Sequence, residues 1–264
     1  MRISEKFGEL KRRGEKALIL YITCGDPSAE ETIKIARRII DAGCDILELG
    51  LPFSDPLADG PTIEAASQRA IAAGMTTDLY FRTCAKIAGV PKVCMTYYNL
   101  IYQYGLERFA KACHNSGITG LIVPDLPPEE SGPLKKACDE NGVDLVFIVS
   151  PQTSEERLAI IKKAISSGKS RITECYGGFI YLQSVLGITG ARDDLKLRLA
   201  ASIRELKKFG LPVAVGFGIS RPDQIRESIQ QGADGVIIGS ALIERINEGK
   251  DIASFVRSLK EATI

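Results

Sequence analysis

Eight short apolar segments alternate with helical patterns along the chain, and this alternation constrains the fold more than any other feature. The segments are rich in Val, Ile, Leu and Tyr, and they read as continuous apolar runs, which is typical of parallel strands covered by helices. The predicted strands are residues 17–23, 45–50, 92–98, 120–124, 144–149, 178–183, 212–217 and 235–238. Eight strand–helix units in about 250 residues is the usual size of a (β/α)8 barrel.

Helical periodicity fills the intervals between these strands, and one further amphipathic helix over residues 3–13 precedes the first of them. The helix after the fourth strand is predicted to begin at PDLPPEE, and the last helix is predicted to run from Ala241 to the C-terminus. We therefore expect an α/β fold, a single-domain (β/α)8 TIM barrel over residues 1–264 with an extra N-terminal helix. A doubly wound open sheet is the alternative architecture.

The charge and hydropathy of the chain exclude several classes of partner. The formal net charge is +1, so there is no electrostatic reason to expect nucleic acid or an anionic membrane. No apolar run approaches the ~20 residues of a membrane span. The first residues, MRISEKFGELKRRGEKA, lack the apolar stretch of a signal peptide.

The seven cysteines form no C-x-x-C motif and most of them fall inside apolar segments. This pattern predicts reduced thiols in the core of a cytoplasmic protein. His114 is the only histidine, which argues against a histidine-rich metal site, so we expect no metal. A serine hydrolase would have to use His114 as its base, but the sequence has no G-x-S-x-G motif to supply the serine.

The stretch DILELGLPFSDPLADGP, residues 45–61, is the first candidate for chemistry. Alternate residues of a strand share a face, so Glu48 points with Ile46 and Gly50, away from Leu47 and Leu49. The loop that follows carries Asp55 and Asp59. A carboxylate fixed on a strand beside another on a loop suits general acid/base catalysis. Alternatively, Glu48 forms a salt bridge outside the barrel and DPLADGP is an ordinary turn.

Glycine-bearing turns follow the sixth, seventh and eighth strands, at residues 187–190, 216–220 and 239–240. In barrels of this kind the last loops and a helix N-terminus often hold a phosphate group through backbone N–H groups. These turns therefore favour phosphate binding, although glycines also simply make tight turns. A dinucleotide fingerprint is excluded because Arg221 stands where G-x-G-x-x-G needs its third glycine.

Five motifs together carry a resemblance to a known family: LGLPFSDPLADGP at 49–61, GLIVPDLP at 120–127, GITGA at 187–191, GFGIS at 216–220 and GSA at 239–241. The chain resembles the α subunit of tryptophan synthase nearly from end to end. PFSDPLADGP is the most specific of these motifs, whereas the glycine turns would also suit other phosphate-binding barrels.

The resemblance implies a carbon–carbon lyase of tryptophan biosynthesis, which splits indole-3-glycerol phosphate into indole and glyceraldehyde 3-phosphate by a retro-aldol reaction. It also implies a β-subunit partner in an α2β2 heterotetramer that carries pyridoxal phosphate and receives the indole through a tunnel. The α subunit itself is expected to need no cofactor.

The resemblance also assigns expected roles to individual residues. Glu48 matches the acid/base that protonates the indole ring carbon, and Asp59 matches the loop aspartate that handles the indole N–H group. The expected substrate-binding residues, which surround the indole or hold the phosphate, are Tyr21, Tyr97, Ile122, Tyr181, Thr189, Gly190, Phe217, Gly218, Gly239 and Ser240.

Two other functions fit parts of the pattern. A different phosphosugar barrel, such as an isomerase or the synthase that forms indole-glycerol phosphate, would place a catalytic lysine or another acid at the strand ends. A regulatory subunit would bind ligand and partner without turnover.

Three segments outside the strands carry further expectations. Residues 166–177 are longer than the connection into the sixth strand that is usual in the family that the chain resembles. Loops 53–60 and 187–194 are predicted to be the most mobile parts of the free chain.

Overall fold

Nine parallel strands form one sheet within residues 1–166, 178–183 and 192–264, which are the residues that this computed structural model describes. The strands are β1 (Ala17–Thr23), β2 (Ile46–Gly50), β3 (Lys92–Met95), β4 (Ile118–Ile122), β5 (Asp144–Val146), β6 (Ile148–Val149), β7 (Ile180–Gln183), β8 (Val213–Gly216) and β9 (Gly235–Ile238). Their order across the sheet is β5-β4-β3-β2-β1-β9-β8-β7-β6.

The two outermost strands of this order are halves of one predicted strand. Only Phe147 separates β5 from β6; β5 pairs with β4, whereas β6 pairs with β7. The sheet therefore meets itself at this point and closes into a barrel. The (β/α)8 barrel is confirmed, and the open doubly wound sheet is wrong. The domain extent of residues 1–264 stays a prediction.

Helices follow the strands around the outside of the barrel. They are α1 (Ile3–Arg12), α2 (Ala29–Asp41), α3 (Pro61–Ala72), α4 (Thr77–Cys84), α5 (Tyr98–Tyr104), α6 (Leu106–Asn115), α7 (Gly132–Glu140), α8 (Glu155–Ser166), α9 (Arg192–Lys207), α10 (Pro222–Gln230), α11 (Ser240–Asn247) and α12 (Ile252–Glu261). The side chains that strands and helices bury between them, such as Leu47 and Leu49 of β2, form the larger of two hydrophobic clusters.

The second cluster fills the barrel interior and includes Ile19 and Tyr21 of β1 and Ile46 of β2. Helix α1 contributes Ile3 and Phe7 to the same cluster, so the extra N-terminal helix closes the N-terminal end of the barrel. Its first apolar residue packs against the sheet closely: a Cβ atom at Gly120 would lie 2.6 Å from the Ile3 Cδ1 atom. The opposite, C-terminal end of the barrel is the one left for a ligand.

Beyond the split strand and shifts of one or two residues at other strand limits, three predicted elements differ from the structure. Residues 97 and 98 were predicted as strand, but Tyr98 begins helix α5. PDLPPEE does not begin a helix, because α7 starts only at Gly132, where Pro133 occupies a position that needs no intrahelical N–H bond. The last helix is broken at Gly249, whose φ is 65°, and α12 restarts beyond Asp251, which caps it.

Candidate active site

A cavity of about 560 Å³ opens at the C-terminal end of the barrel, where a (β/α)8 barrel places its active site. Eight residues predicted from the sequence line this cavity together: Tyr21, Glu48, Asp59, Tyr181, Phe217, Gly218, Gly239 and Ser240. They come from β1, β2, β7 and the segments after β2, β8 and β9, so the closure of the barrel brings together residues that are far apart in the chain.

Glu48 lies inside the barrel in the middle of β2 and is only 1% exposed. Its backbone is paired in register with Tyr21 of β1 and Val93 of β3, which fixes the side chain toward the cavity. Burial, and secondarily the charge of Asp59, raises the pKa of Glu48 from 4.5 to about 8. Its Oε2 atom has no hydrogen-bond partner among the described residues. The alternative of a salt-bridged glutamate outside the barrel is therefore wrong.

Asp59 lies on the loop between β2 and α3 and is half-buried at the cavity wall. Burial raises the pKa of its carboxyl group, a hydrogen bond with Tyr97 lowers it, and the nearby charge of Glu64 raises it. The Tyr97 hydroxyl group also accepts a hydrogen bond of 3.0 Å from the Ala58 N–H group. Tyr97 therefore holds the loop that carries Asp59, a role that is visible only in the folded structure.

Tyr21, on the strand next to Glu48, and Tyr181 of β7 are buried and are 5% and 6% exposed. Each needs a glycine on the neighbouring strand: a Cβ atom at Gly50 would overlap the Tyr21 ring, and one at Gly216 would overlap the Tyr181 ring. Burial is the main cause that raises the pKa of both phenols well above 10. They stay neutral and present flat ring surfaces to the cavity.

The other end of the cavity is built from backbone groups. Gly239 caps α11, and Ser240 is its first residue, so the unpaired N–H groups of the first helical turn lie at the cavity. Phe217 has a φ of 72°, in the left-handed region that few non-glycine residues adopt, and Gly218 follows at 74°. Strained backbone at such a place is typical of ligand sites.

The remaining predicted residues lie elsewhere. Ile122 is buried in the interior cluster and Tyr97 contacts the loop of Asp59, and neither lines the cavity. Thr189 and Gly190 lie outside the described residues. Nine lining residues were not predicted: Ala58, Gly60, Ile63, Met95, Ile219, Ser220, Ile237, Ala241 and Glu244. Strand alternation could have identified Met95 and Ile237, which share the inward-facing parity of their strands.

The described part of the chain holds neither a metal-binding cluster nor a membrane-spanning helix. No group of three or more His, Cys, Asp or Glu side chains there could hold a metal ion. None of the helices in those residues is long and apolar enough to cross a membrane.

The comparisons with known proteins agree with this geometry. The sequence model of the family described as tryptophan synthase alpha chain matches residues 7–263. A tryptophan synthase alpha chain of Methanosarcina barkeri is 48% identical over 262 residues, which cover 98% of this chain and 94% of that relative. The chain belongs to the tryptophan synthase alpha chain family.

Solved structures of this family have the same fold. The tryptophan synthase subunit alpha of Legionella pneumophila superposes with a TM-score of 0.85 at 32% identity, covering 99% of this chain and 98% of the other. A chain from the tryptophan synthase structure of Mycobacterium tuberculosis superposes with a TM-score of 0.87 at 33% identity, with the same two coverages.

Membership in the tryptophan synthase alpha chain family confirms the expected activity. The chain is a carbon–carbon lyase of tryptophan biosynthesis that cleaves indole-3-glycerol phosphate to indole and glyceraldehyde 3-phosphate. The two alternatives, another phosphosugar barrel and a regulatory subunit without turnover, are therefore wrong.

Proposed function

We propose that Glu48 and Asp59 together carry out the cleavage, with Glu48 as the acid that protonates the indole ring. The observation that supports this assignment most strongly is the burial of Glu48, which raises its pKa to about 8. A carboxyl group with this pKa keeps its proton at neutral pH and can donate it. Both carboxyl groups line the same cavity, so one bound substrate can contact both.

The proton balance of the reaction needs no second reactant. The Glu48 carboxyl group gives its proton to the ring carbon that bears the glycerol phosphate chain, and the ring nitrogen becomes positively charged. The Asp59 carboxylate stabilises that charge. The carboxylate left on Glu48 then takes the proton of the adjacent side-chain hydroxyl group. The carbon–carbon bond breaks, its electrons return to the ring, and indole and an aldehyde are released.

The phosphate group of the substrate binds at the opposite end of the cavity in this proposal. The N–H groups at the start of α11, with Gly218 beside them, supply hydrogen-bond donors and the positive end of a helix dipole. Tyr21 and Tyr181 supply aromatic surface for the indole ring between the two ends. This arrangement puts the ring carbon near Glu48 and keeps the phosphate away from both carboxylates.

Substituting Glu48 by Gln tests the assignment, because it keeps the shape of the side chain and removes the proton. A positioned general acid/base is worth ~10²–10⁴ in rate, or ~3–5 kcal/mol of barrier. We expect kcat for indole release to fall by about that factor. The dissociation constant of the substrate should stay within about threefold, because the phosphate end is unchanged. Near-normal turnover in Glu48→Gln would contradict the role of Glu48.

The partner implied for this family member is a β subunit that carries pyridoxal phosphate, and this chain would need no cofactor of its own. Large apolar side chains are exposed on segments that follow the C-terminal ends of β2 and β3: Leu57 is 85% exposed and Tyr102 is 63% exposed. A protein that covers these side chains would also cover the cavity mouth. Such a cover suits an α2β2 heterotetramer in which indole passes directly between subunits.

Covering the mouth would also activate the chain. The loop of Asp59 is tied to the barrel through Tyr97, and a partner that favours this closed loop by a few kcal/mol would shift its population strongly. We expect slow cleavage by the free chain and large stimulation by a β subunit. Hydrogen exchange on residues 53–60 and 187–194, measured before and after the partner is added, tests this. Full protection in the free chain, or activity indifferent to the partner, would rule the mechanism out.

The cytoplasm is the proposed location. Six cysteines of the described residues, among them Cys24, Cys84 and Cys94, are buried as free thiols. Free buried thiols are usual in a reducing compartment.

A further inference from the structure

The turn after β8, residues Gly218 to Arg221, makes four hydrogen bonds with a single side chain, three of them through backbone groups of the turn. That side chain is Gln224, in the first turn of α10. Its Oε1 atom accepts hydrogen bonds from the N–H groups of Ser220 and Arg221, at 2.9 and 3.1 Å, and from the Ser220 hydroxyl group at 3.3 Å. Its Nε2 atom donates a hydrogen bond of 3.2 Å to the Gly218 carbonyl oxygen.

Capping of α10 explains only part of this set. In a capping box the third helical residue accepts a hydrogen bond from the N-cap N–H group, which is here that of Arg221. The contacts to Ser220 and Gly218 lie outside the helix and are not needed for the cap. They join the two ends of the turn across Ile219, and Gly218, Ile219 and Ser220 all line the cavity.

The bond to Gly218 orients a peptide group. In a trans peptide the C=O and N–H bonds point in opposite directions. Because the Gly218 carbonyl points toward Gln224, the N–H group of Ile219 points away from α10. Left-handed Phe217 precedes the turn and left-handed Gly218 begins it, a conformation that persists only where the surrounding structure fixes it.

We infer that Gln224 is a positioning residue for the substrate's phosphate group. It holds the turn in the shape in which the N–H groups of Gly218 and Ile219 are left for the phosphate, while it occupies those of Ser220 and Arg221 itself. The inference rests on the proposed phosphate end of the cavity and adds to it a residue that does not line the cavity. Its effect is on phosphate affinity and not on the proton transfer at Glu48.

The test compares substitutions at Gln224 with two controls. Gln224→Met keeps the length of the side chain and removes every hydrogen bond, whereas Gln224→Glu keeps the acceptor, and so the cap, but loses the donor to Gly218. Gln230→Met makes the same change at the exposed far end of α10. Arg221→Gln makes the same change in charge as Gln224→Glu, on the same turn.

Four quantities are measured for each full-length variant: KM and kcat for indole release, the inhibition constant of inorganic phosphate, and the dissociation constant of indole alone. For Gln224→Met we expect KM and the phosphate constant to rise on the order of tenfold, from the loss of several hydrogen bonds. The kcat and the indole constant should stay within about twofold. Gln224→Glu should raise KM more than Arg221→Gln does. The melting temperature of Gln224→Glu should equal that of the wild type, because the cap is kept.

Three outcomes would overturn the inference. If Gln224→Met matches Gln230→Met in KM and in phosphate inhibition while the wild type is inhibited by phosphate, the inference on Gln224 fails alone. If Gln224→Met lowers only the melting temperature, Gln224 is a helix cap and nothing more. If phosphate does not inhibit the wild type competitively, the proposed phosphate end fails and the inference fails with it.

Discussion

Replacing Glu48 by Gln should change the stability of the protein in a pH-dependent way, because it removes an acid that is buried without a hydrogen-bond partner for Oε2 among the described residues. The carboxyl group has a pKa of about 8 in the folded protein, against an ordinary value of 4.5. Between these two pH values the folded protein keeps a proton that the unfolded chain has lost. The stability of the wild type therefore falls as pH rises through this window and levels off above pH 8.

The magnitude follows from the two pKa values. At 1.36 kcal/mol per pH unit, the difference between about 8 and 4.5 corresponds to about 5 kcal/mol as the cost of ionising Glu48 in the folded state. Gln carries no charge at any pH and pays no such cost. The variant should match the wild type within about 1 kcal/mol near pH 4.5, where both side chains are neutral, and should exceed it by several kcal/mol above pH 8.

Urea titrations of both proteins at pH 5, 6.5, 8 and 9 measure this difference. All other groups titrate in both proteins, so their contributions cancel when the two free energies of unfolding are subtracted. A difference that stays constant from pH 5 to pH 9 would show that Glu48 ionises at its ordinary pKa. In that case the argument that burial keeps it protonated would be wrong.

Three further predictions concern the surroundings of the site. Gly216→Ala should force the Tyr181 ring out of place, which should lower the free energy of unfolding by about 1–3 kcal/mol and raise KM. The control Gly132→Ala, where a Cβ atom meets open space, should leave the free energy of unfolding and KM unchanged. Thermal melting measures the stability of each variant, and steady-state kinetics measure KM. Tyr97→Phe should lower kcat about tenfold and speed hydrogen exchange of residues 53–60, because the Ala58 N–H group loses its partner; unchanged exchange would contradict this. Shortening residues 166–177, of which 167–177 lie outside the described residues, should leave turnover nearly unchanged, since the segment joins a helix to the following strand. A large loss of activity in a folded variant would show that it reaches the site or the partner.

Much of the barrel could be predicted because its strands are continuous apolar runs. The bounds of β1 and β9 match the predicted residues 17–23 and 235–238. The alternation within β2 predicted that Glu48 shares a face with Ile46, away from Leu47 and Leu49, and the structure shows that this face is the inward one. These features depend on local pattern, which a sequence displays directly.

Features that depend on contacts between distant segments could not be predicted in this way. Tyr97 and Tyr98 are good strand formers, but Tyr98 starts α5, where the Asp125 carboxylate accepts a hydrogen bond from its N–H group. Glu244 lines the cavity from α11, one helical turn after Ser240, and Thr62 donates a hydrogen bond of 3.1 Å to it. No local pattern singles out either contact, since their partners lie 27 and 182 residues away.

The pH dependence of kcat/KM for indole release tests most directly the claim that Glu48 is a buried, protonated acid. The wild-type value should be level near pH 7 and should fall above about pH 8, approaching tenfold per pH unit, because kcat/KM reports the ionisation of essential groups in the free enzyme. The residual activity of Glu48→Gln should lack this decrease. A wild-type value that stays level to pH 9.5, or an equal decrease in Glu48→Gln, would contradict the account.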